Sequence, residues 1–228
     1  MGTHLLTGAG SGIGAALADR LLERGDDLVL LARSSERAHD LRADLPDATV
    51  LVADLADAAA VEAVSAQLPA SLDSLVHAAG IVDLGPVAAL TTEAWQSQLA
   101  VNLVAPAVLT RLCLPALRAA RGTVVFVNSS AGLVASPQWG AYAASKFALK
   151  AIADSLREEE AAHGVRVTTF YPGRTATPMQ EKVHEQEGKT YDAADWASAE
   201  SAASTILHVL DLPRDATIPD VRFRPAPR

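Results

Sequence analysis

Short apolar runs alternate with amphipathic stretches along most of the chain. The runs are His4–Leu6, Asp27–Ala32, Thr49–Ala53, Leu72–Val76, Thr123–Val127 and Val165–Phe170. A continuous apolar run is typical of a parallel strand that is buried on both faces. The stretches between the runs place apolar residues at helical spacing, as at Ile13, Leu17 and Leu21. This alternation predicts a doubly wound parallel α/β sheet with helices on both faces.

The second half of the chain contains longer helical patterns. Thr91 or Thr92 is a good N-cap for a helix that carries apolar residues as far as Leu117, and the amide of Asn102 interrupts its apolar face. A buried amide needs hydrogen-bond partners. Another helix is predicted from the Tyr142 region to about Ala162, and Gly164 closes it.

The C-terminal part is less regular. Segment 178–196 is polar and mixed in charge, and its composition fits a mobile lid over a substrate and a solvated surface helix equally well. Ser198–Leu210 predicts a helix, and residues 216–228 predict an edge strand and an extended, proline-rich tail. Because no linker or shift in composition divides the chain, residues 1–228 are predicted to form a single domain.

Composition excludes several classes of partner. The net charge is −8, the isoelectric point is near 5.2, and no basic run is present, which argues against nucleic acid and anionic membranes as main partners. Cys113 is a single cysteine in an apolar helical stretch, and the six histidines show no ligand spacing, so we expect no internal disulfide and no metal. The pattern contains neither a secretory signal nor an apolar run of about 18 residues. We therefore expect a soluble, cytoplasmic protein.

The turn after the first strand is rich in glycine. Thr7–Gly14 reads TGAGSGIG and leads directly into a helix. Strand, glycine turn and helix form the context in which backbone N–H groups at a helix N-terminus hold a pyrophosphate. A flexible loop is the alternative, but the glycines lie where a turn between strand and helix needs them.

The residues after the second strand bear on the choice of cofactor. Dinucleotide-binding folds that bind NAD usually carry Asp or Glu about 20 residues beyond the glycines, to hold the ribose 2′-hydroxyl. Here Arg33 and Ser34 follow the strand instead. A planar guanidinium suits a phosphate. A surface arginine at a strand end is the simpler alternative, but together with the glycine turn the pattern favours NADP(H) over NAD(H).

Three polar side chains follow the Thr123–Val127 strand. Ser129 lies just past it, and Tyr142 and Lys146 are four residues apart on the next predicted helix, so they share one face. A nearby ammonium ion favours the phenolate and lowers the tyrosine pKa, which would make Tyr142 a general acid or base. Taken alone, the pair is more simply a half-buried ring beside a solvated charge, so its interpretation depends on the rest of the chain.

Together these motifs resemble the short-chain dehydrogenase/reductase family, in order and spacing, from Thr3 to Thr177. The resemblance rests on TGAGSGIG, Asp54, HAAG at His77–Gly80, Asn102, Ser129, Tyr142-x-x-x-Lys146 and Pro172-Gly173. It implies a single-domain Rossmann-type fold with a sheet of about seven strands in the order 3-2-1-4-5-6-7. It also implies that Tyr142 is the general acid/base and that Ser129 orients the substrate carbonyl. Lys146 would lower the tyrosine pKa and hold the ribose, and Asn102 would support a water relay. The cofactor-binding residues that it implies, with Arg33 and Ser34 added, are Gly8, Gly10, Ser11, Gly12, Ile13, Gly14, Arg33, Ser34, Asp54, Leu55, Ala78, Ala79, Gly80, Tyr142, Lys146, Pro172, Gly173, Thr175 and Thr177.

Some positions depart from the family pattern. His77 stands where the family more often has Asn, Thr175 where an aliphatic residue is common, and Ser11 where many NADP-dependent members carry a basic residue. His77 and Thr175 are expected to act mainly through backbone or packing. The NADP preference therefore depends on Arg33, with Ser34 as a helper.

The sequence thus predicts an NADP(H)-dependent oxidoreductase that interconverts a carbonyl compound and an alcohol by hydride transfer. The alternatives are an epimerase or dehydratase on the same fold, and a dinucleotide-sensing protein without turnover. Leu133, Val134, Pro137 and Trp139 suggest a partly apolar pocket wall and hence a hydrophobic carbonyl substrate. The resemblance further implies a homodimer or homotetramer.

Overall fold

The computed structural model describes residues 1–226 and is built around one parallel sheet. Its strands are β1 Thr3–Thr7, β2 Asp27–Ala32, β3 Thr49–Val52, β4 Ser74–His77, β5 Thr123–Val127, β6 Arg166–Pro172 and, at the edge, β9 Asp220–Phe223. They lie in the order β3-β2-β1-β4-β5-β6-β9, and every neighbouring pair is parallel. The predicted strand order is confirmed. The last strand of the sheet is numbered β9 because two short strands precede it in the chain. These are β7 Thr175–Ala176 and β8 Ala197–Ser198, which form a separate parallel ladder.

Eight α-helices cover the sheet in the described part of the chain. They are α1 Gly12–Glu23, α2 Ser35–Asp44, α3 Ala58–Ala63, α4 Thr92–Leu99, α5 Ala105–Ala120, α6 Gly140–Glu160, α7 Pro178–Glu187 and α8 Ala199–Leu210. Two large apolar clusters lie on opposite faces of the sheet. One centres on Leu5, Leu109 and Phe126, and the other on Leu6, Leu17 and Phe170. Because side chains alternate along a strand, Leu5 and Leu6 enter different clusters.

The predicted long helix is present, but it is not uniform. Thr91 caps α4, and the turn Ala100–Val104 that joins α4 to α5 is π-helical. Together they form an apolar helical stretch, Thr92–Ala120, that is long enough to cross a membrane, whereas the sequence pattern showed no apolar run of that length. Several of its residues nevertheless belong to the core cluster against the sheet, among them Leu109, Cys113 and Leu117. It packs as a core helix of this fold.

The C-terminal region is more ordered than its composition suggests. Segment 178–196 contains α7, which buries Val183 and His184, and Gly188 ends the helix in the left-handed conformation at φ 67°. Residues 178–187 therefore form a helix with a buried face, whereas a solvated surface helix would have none. The predicted edge strand is present but begins at Asp220. Of the predicted tail, residues 227–228 lie outside the described part of the chain.

Candidate active site

A cavity of about 1400 Å³ runs along the carboxyl edge of the sheet. Ligands of open parallel sheets bind at this edge, where strand order reverses. The cavity is lined by segments from the ends of four strands. They are the glycine turn after β1, residues 78–80 after β4, residues 128–131 after β5 and residues 172–175 at the end of β6. With two exceptions, Gly14 and Asn102, every residue predicted to be catalytic or to bind the cofactor lies on its wall.

The glycine turn packs tightly against the end of β4. Gly8 has φ 76°, and a Cβ added there would lie 2.6 Å from the Ala79 nitrogen. A Cβ at Gly14 would lie 2.2 Å from the Gly8 carbonyl oxygen. Gly14 lies on the side of the turn away from the cavity, and its lack of a side chain lets α1 approach the end of β1 closely. Gly8, Gly10, Ser11, Gly12 and Ile13 form the exposed wall of the cavity.

One end of the cavity is lined by charged side chains that follow β2 and β3. Arg33 is exposed there, and among residues 1–226 its guanidinium has no hydrogen bond or ion pair. Ser34 caps α2 by accepting a hydrogen bond from the Arg37 backbone at 3.2 Å, and its hydroxyl remains free to donate. Asp54 and Leu55 lie on the same wall.

Arg37 also lines this end of the cavity, and it was not predicted from the sequence. Its guanidinium donates to the Gly10 carbonyl at 2.7 Å and to Asp40 at 3.2 Å, so it ties α2 to the glycine turn. Arg37 lies in the first turn of α2, whereas Arg33 precedes the extended N-cap Ser34. A second arginine so soon after β2 was the signal that could have identified it.

Ser129, Tyr142 and Lys146 meet at the other end of the cavity. Ser129 caps the short turn after β5, and its hydroxyl lies near enough to the Tyr142 phenol to affect the pKa of that group. The Lys146 ammonium donates to the Val127 carbonyl at 3.1 Å and lies 5.8 Å from the centre of the Tyr142 ring. The predicted convergence of these three side chains is therefore present in the structure.

Burial, rather than the charge of Lys146, determines the pKa of Tyr142. Tyr142 and Lys146 are only 5% and 3% exposed. Burial raises the pKa of Tyr142 to about 12, although the nearby Ser129 hydroxyl acts in the opposite direction. Burial also lowers the pKa of Lys146 to about 8. The expectation of a lowered tyrosine pKa is thus wrong for this structure, and at neutral pH the phenol is protonated and able to donate.

Asn102 lies behind the cavity and is fully buried. Its side-chain oxygen accepts from the Ile81 backbone, and its nitrogen donates to the Ile81 carbonyl, both at 2.9 Å. The same nitrogen donates to the Ser145 hydroxyl at 3.0 Å. The side chain therefore fixes the chain after β4, and its role in a water relay stays a prediction.

His77 is a structural residue. It is buried and stacks on Phe126 at a centroid distance of 5.0 Å, and its Nε2 atom lies 2.8 Å from the Thr110 hydroxyl. Burial, together with the nearby Lys146 charge, lowers the pKa of His77 to about 3. The imidazole is therefore neutral and acts through packing.

An apolar wall surrounds the Tyr142 phenol. Val82, Tyr142 and Val183 are packed together, with Leu84, Trp139 and Met179 against them, and the Trp139 ring meets the tyrosine edge-on at 5.8 Å. Val134 and Pro137 also line the cavity, whereas Leu133 does not. Val82, Met179 and Val183 could not be identified from sequence, because they come from segments far apart in the chain.

The segment from Pro172 to Thr177 joins the sheet to α7. Thr175 is buried, and its hydroxyl donates to the Gly173 carbonyl at 3.2 Å. Thr177 caps α7 and touches the glycine turn, since a Cβ at Gly12 would lie 2.9 Å from its methyl group. Within residues 1–226, no three His, Cys, Asp or Glu side chains are grouped to hold a metal ion. The expected absence of a metal therefore stays a prediction.

The fold and the cavity define a class of protein. A parallel sheet with a glycine turn after its first strand, and with serine, tyrosine and lysine at its carboxyl edge, is a Rossmann-type α/β oxidoreductase architecture. A sequence model described as short chain dehydrogenase matches residues 3–188. The chain belongs to the short-chain dehydrogenase/reductase family, which confirms the resemblance of its motifs.

Individual relatives agree with this assignment. Dehydrogenase/reductase SDR family member 11 of Gallus gallus is 30% identical over 241 residues, which covers 97% of this chain and 94% of the relative. A short-chain dehydrogenase from Sphingobium yanoikuyae, solved in complex with NADPH, matches with a TM-score of 0.81 and 27% identity. The match covers 96% of this chain and 87% of that chain. A 4-hydroxyisoleucine dehydrogenase complexed with NADH matches with a TM-score of 0.85 and 26% identity. The match covers 98% of this chain and 97% of that chain.

Proposed function

We propose that this protein is an NADP(H)-dependent oxidoreductase that interconverts a carbonyl compound and an alcohol. The observation that carries the proposal is a single cavity with the glycine turn and Arg33 at one end and Ser129, Tyr142 and Lys146 at the other. Similar proteins have been solved with NADPH and with NADH. The site residues fit such a dinucleotide, because the turn at Gly8 and Gly12 brings bare backbone to the cavity wall.

Ser129, Tyr142 and Lys146 would each have a role in the reduction of the carbonyl group. The bound dinucleotide would supply or accept the hydride. Ser129 would hold the carbonyl oxygen, and the protonated phenol of Tyr142 would donate its proton to that oxygen as the alcohol forms. Lys146 is anchored by Val127 and places a cation behind the phenol, which stabilises the phenolate that proton transfer leaves.

The substrate end of the cavity favours an uncharged, apolar carbonyl compound. Val82, Met179 and Val183 offer no charge there. Arg174 and Lys189 also line the cavity, but both donate to Glu187, at 2.8 Å and 2.9 Å. A carboxylate beside Tyr142 would lose its hydration without gaining a free partner.

The test is a substrate panel of acetophenone, cyclohexanone and benzaldehyde, with para-acetylbenzoate as the charged counterpart of acetophenone. We expect NADPH consumption, read at the nicotinamide absorbance, with at least one neutral compound. The value of kcat/KM should be higher for acetophenone than for para-acetylbenzoate. Equal values for that pair would contradict the apolar assignment.

Two other functions can be separated from this one. An epimerase or dehydratase on the same fold would form product without net consumption of the dinucleotide. A sensing protein would bind NADPH without turning over any substrate. The complete set of Ser129, Tyr142, Lys146 and Asn102 favours catalysis, because a sensor has no need of the phenol beside the serine hydroxyl.

The motion of segment 178–192 is a further prediction. We expect its amides to exchange with deuterium faster in the free protein than in the presence of NADPH and acetophenone, because α7 covers the cavity through Met179 and Val183. The helix Ala199–Leu210 packs on α1 away from the cavity wall and serves as the internal control. Equal exchange of segment 178–192 in both states would show that it is not a lid.

The assembly and location of the protein are also proposals. We expect a homodimer or homotetramer that packs through the helical stretch Thr92–Ala120, which contains Asn102, and through α6, which contains Tyr142. Val104 and Phe147 of these helices are 43% and 42% exposed. Sedimentation analysis would measure the oligomeric state directly. The acidic chain has no basic run for nucleic acid or anionic lipids, and we propose that it works in the cytoplasm.

A further inference from the structure

The loop that follows β4 is held by side chains. The Ile81 backbone N–H and carbonyl bond to Asn102, each at 2.9 Å. The Asp83 backbone N–H and carbonyl bond to Gln98, each at 3.1 Å. Asn102 and Gln98 are both 0% exposed and lie one turn apart on the same helical stretch. This side of the loop is therefore fixed to the body of the protein.

Helix α7 grips the other side of the same loop. The Lys182 ammonium donates to the Val82 carbonyl at 2.9 Å. Gln186 uses both ends of its amide: its oxygen accepts from the Leu84 N–H at 3.0 Å, and its nitrogen donates to an Asp83 carboxylate oxygen at 2.7 Å. An amide that is satisfied at both ends fixes orientation as well as distance, and the bond to the carboxylate is charge-assisted.

These contacts join two opposite walls of the substrate end of the cavity. Val82 and Leu84 line it from the loop, and Met179 and Val183 line it from α7. Val82 and Val183 are both packed with Tyr142. Because the loop is fixed from behind, the position of α7 against it sets the width of the space beside the phenol.

We propose that Gln186 is a positioning residue that holds α7 against residues 82–84 and thereby sets the affinity for the substrate. The proposal rests on the proposed function, in that the space beside Tyr142 receives the carbonyl compound. Gln186 does not line the cavity. It acts through Val183 and Met179, which its helix carries.

A second attachment keeps α7 folded when Gln186 is changed. Arg174 donates to both oxygens of Glu187 at 2.8 Å and lies over the Trp196 ring at 5.4 Å. His184 is buried between Tyr191 and Trp196. These contacts fix the end of α7 to the region around β8, independently of the loop. Loss of the Gln186 contacts should therefore loosen α7 against the loop, which Lys182 still holds at Val82, without unfolding the helix.

The first test compares Gln186→Ala with Glu185→Ala, a change at an exposed position of the same helix. Loss of the two hydrogen bonds should raise KM for acetophenone roughly tenfold, with kcat and the dissociation constant of NADPH unchanged. Deuterium exchange of residues 178–187 should become faster in Gln186→Ala only. If both variants have the same KM and the same exchange rates as the unmodified protein, the proposal is wrong.

A reciprocal exchange of groups provides the second test. Gln186→Glu removes the donor and sets a carboxylate against Asp83, so KM should rise as in Gln186→Ala. Adding Asp83→Asn restores the bond in the opposite direction, from the asparagine nitrogen to the glutamate oxygen, while the Leu84 contact is kept. The double variant should recover the original KM and exchange rates, and failure to recover either would overturn the proposal. If no carbonyl compound is turned over, the proposed function fails, but the exchange measurements still decide whether Gln186 holds α7.

Discussion

Replacing Tyr142 with phenylalanine should lower kcat for acetophenone reduction by roughly a hundred- to ten-thousandfold, the usual contribution of a positioned general acid. The phenol is protonated at neutral pH because burial raises the pKa of Tyr142 to about 12. Phenylalanine keeps the ring that packs against Trp139 and Val183, so only the proton-donating hydroxyl is lost. NADPH affinity, measured by fluorescence titration, should stay close to that of the unmodified protein.

Tyr171→Phe is the matched control for this substitution. Tyr171 is buried in β6, and its hydroxyl lies outside the residues that line the cavity. The same chemical change there should leave kcat unaltered. If Tyr142→Phe turned over within a fewfold of the unmodified protein, the assignment of Tyr142 as the general acid would be wrong.

The sequence predicted the sheet well because strands that are buried on both faces must be apolar throughout. Leu28, Leu30 and Leu31 point to both sides of the sheet and are all buried, so β2 could be recognised as a continuous run. The order of the strands followed from the resemblance and from the short connections between elements. The β7–β8 ladder was missed, because two-residue strands contain no hydrophobic period.

The candidate site was predictable where its residues follow strands directly. Ser129 and the glycine turn belong to this group, since all carboxyl ends of parallel strands meet at one edge. Gln186 and Leu84 are 102 residues apart in the chain, and no local pattern connects them. The pKa of Tyr142 was also beyond the sequence, because helical spacing shows the neighbouring lysine but not the burial that outweighs it.

Arg33 should determine which dinucleotide the protein prefers. No carboxylate stands at the end of β2, where an NAD enzyme would hold the ribose. The structure adds two acidic side chains to that end of the cavity, Glu36 and Asp40. Asp40 is paired with Arg37 at 3.2 Å, whereas the Arg33 guanidinium is free of ion pairs among residues 1–226. Arg33 is thus the cation best able to accept a new phosphate partner.

A charge-assisted hydrogen bond contributes about 1.5–3 kcal/mol, and about 1.4 kcal/mol corresponds to a tenfold change in affinity. Preference for NADPH over NADH should therefore be roughly ten- to a hundredfold in kcat/KM. Arg33→Ala should remove most of it by weakening NADPH, with little change for NADH. Arg33→Asp should go further, since a carboxylate there repels the phosphate and can hold a ribose hydroxyl.

Arg20→Ala is the control for the change in charge, because Arg20 is an exposed arginine of α1 outside the cavity wall. It should leave the ratio of kcat/KM for NADPH and NADH unchanged. A preference for NADPH that survives Arg33→Ala but not Arg37→Ala would assign the phosphate to the second arginine. An unmodified protein that prefers NADH would contradict the proposal outright, because neither guanidinium would then have a phosphate to bind and Arg33 would be a surface charge at the end of β2.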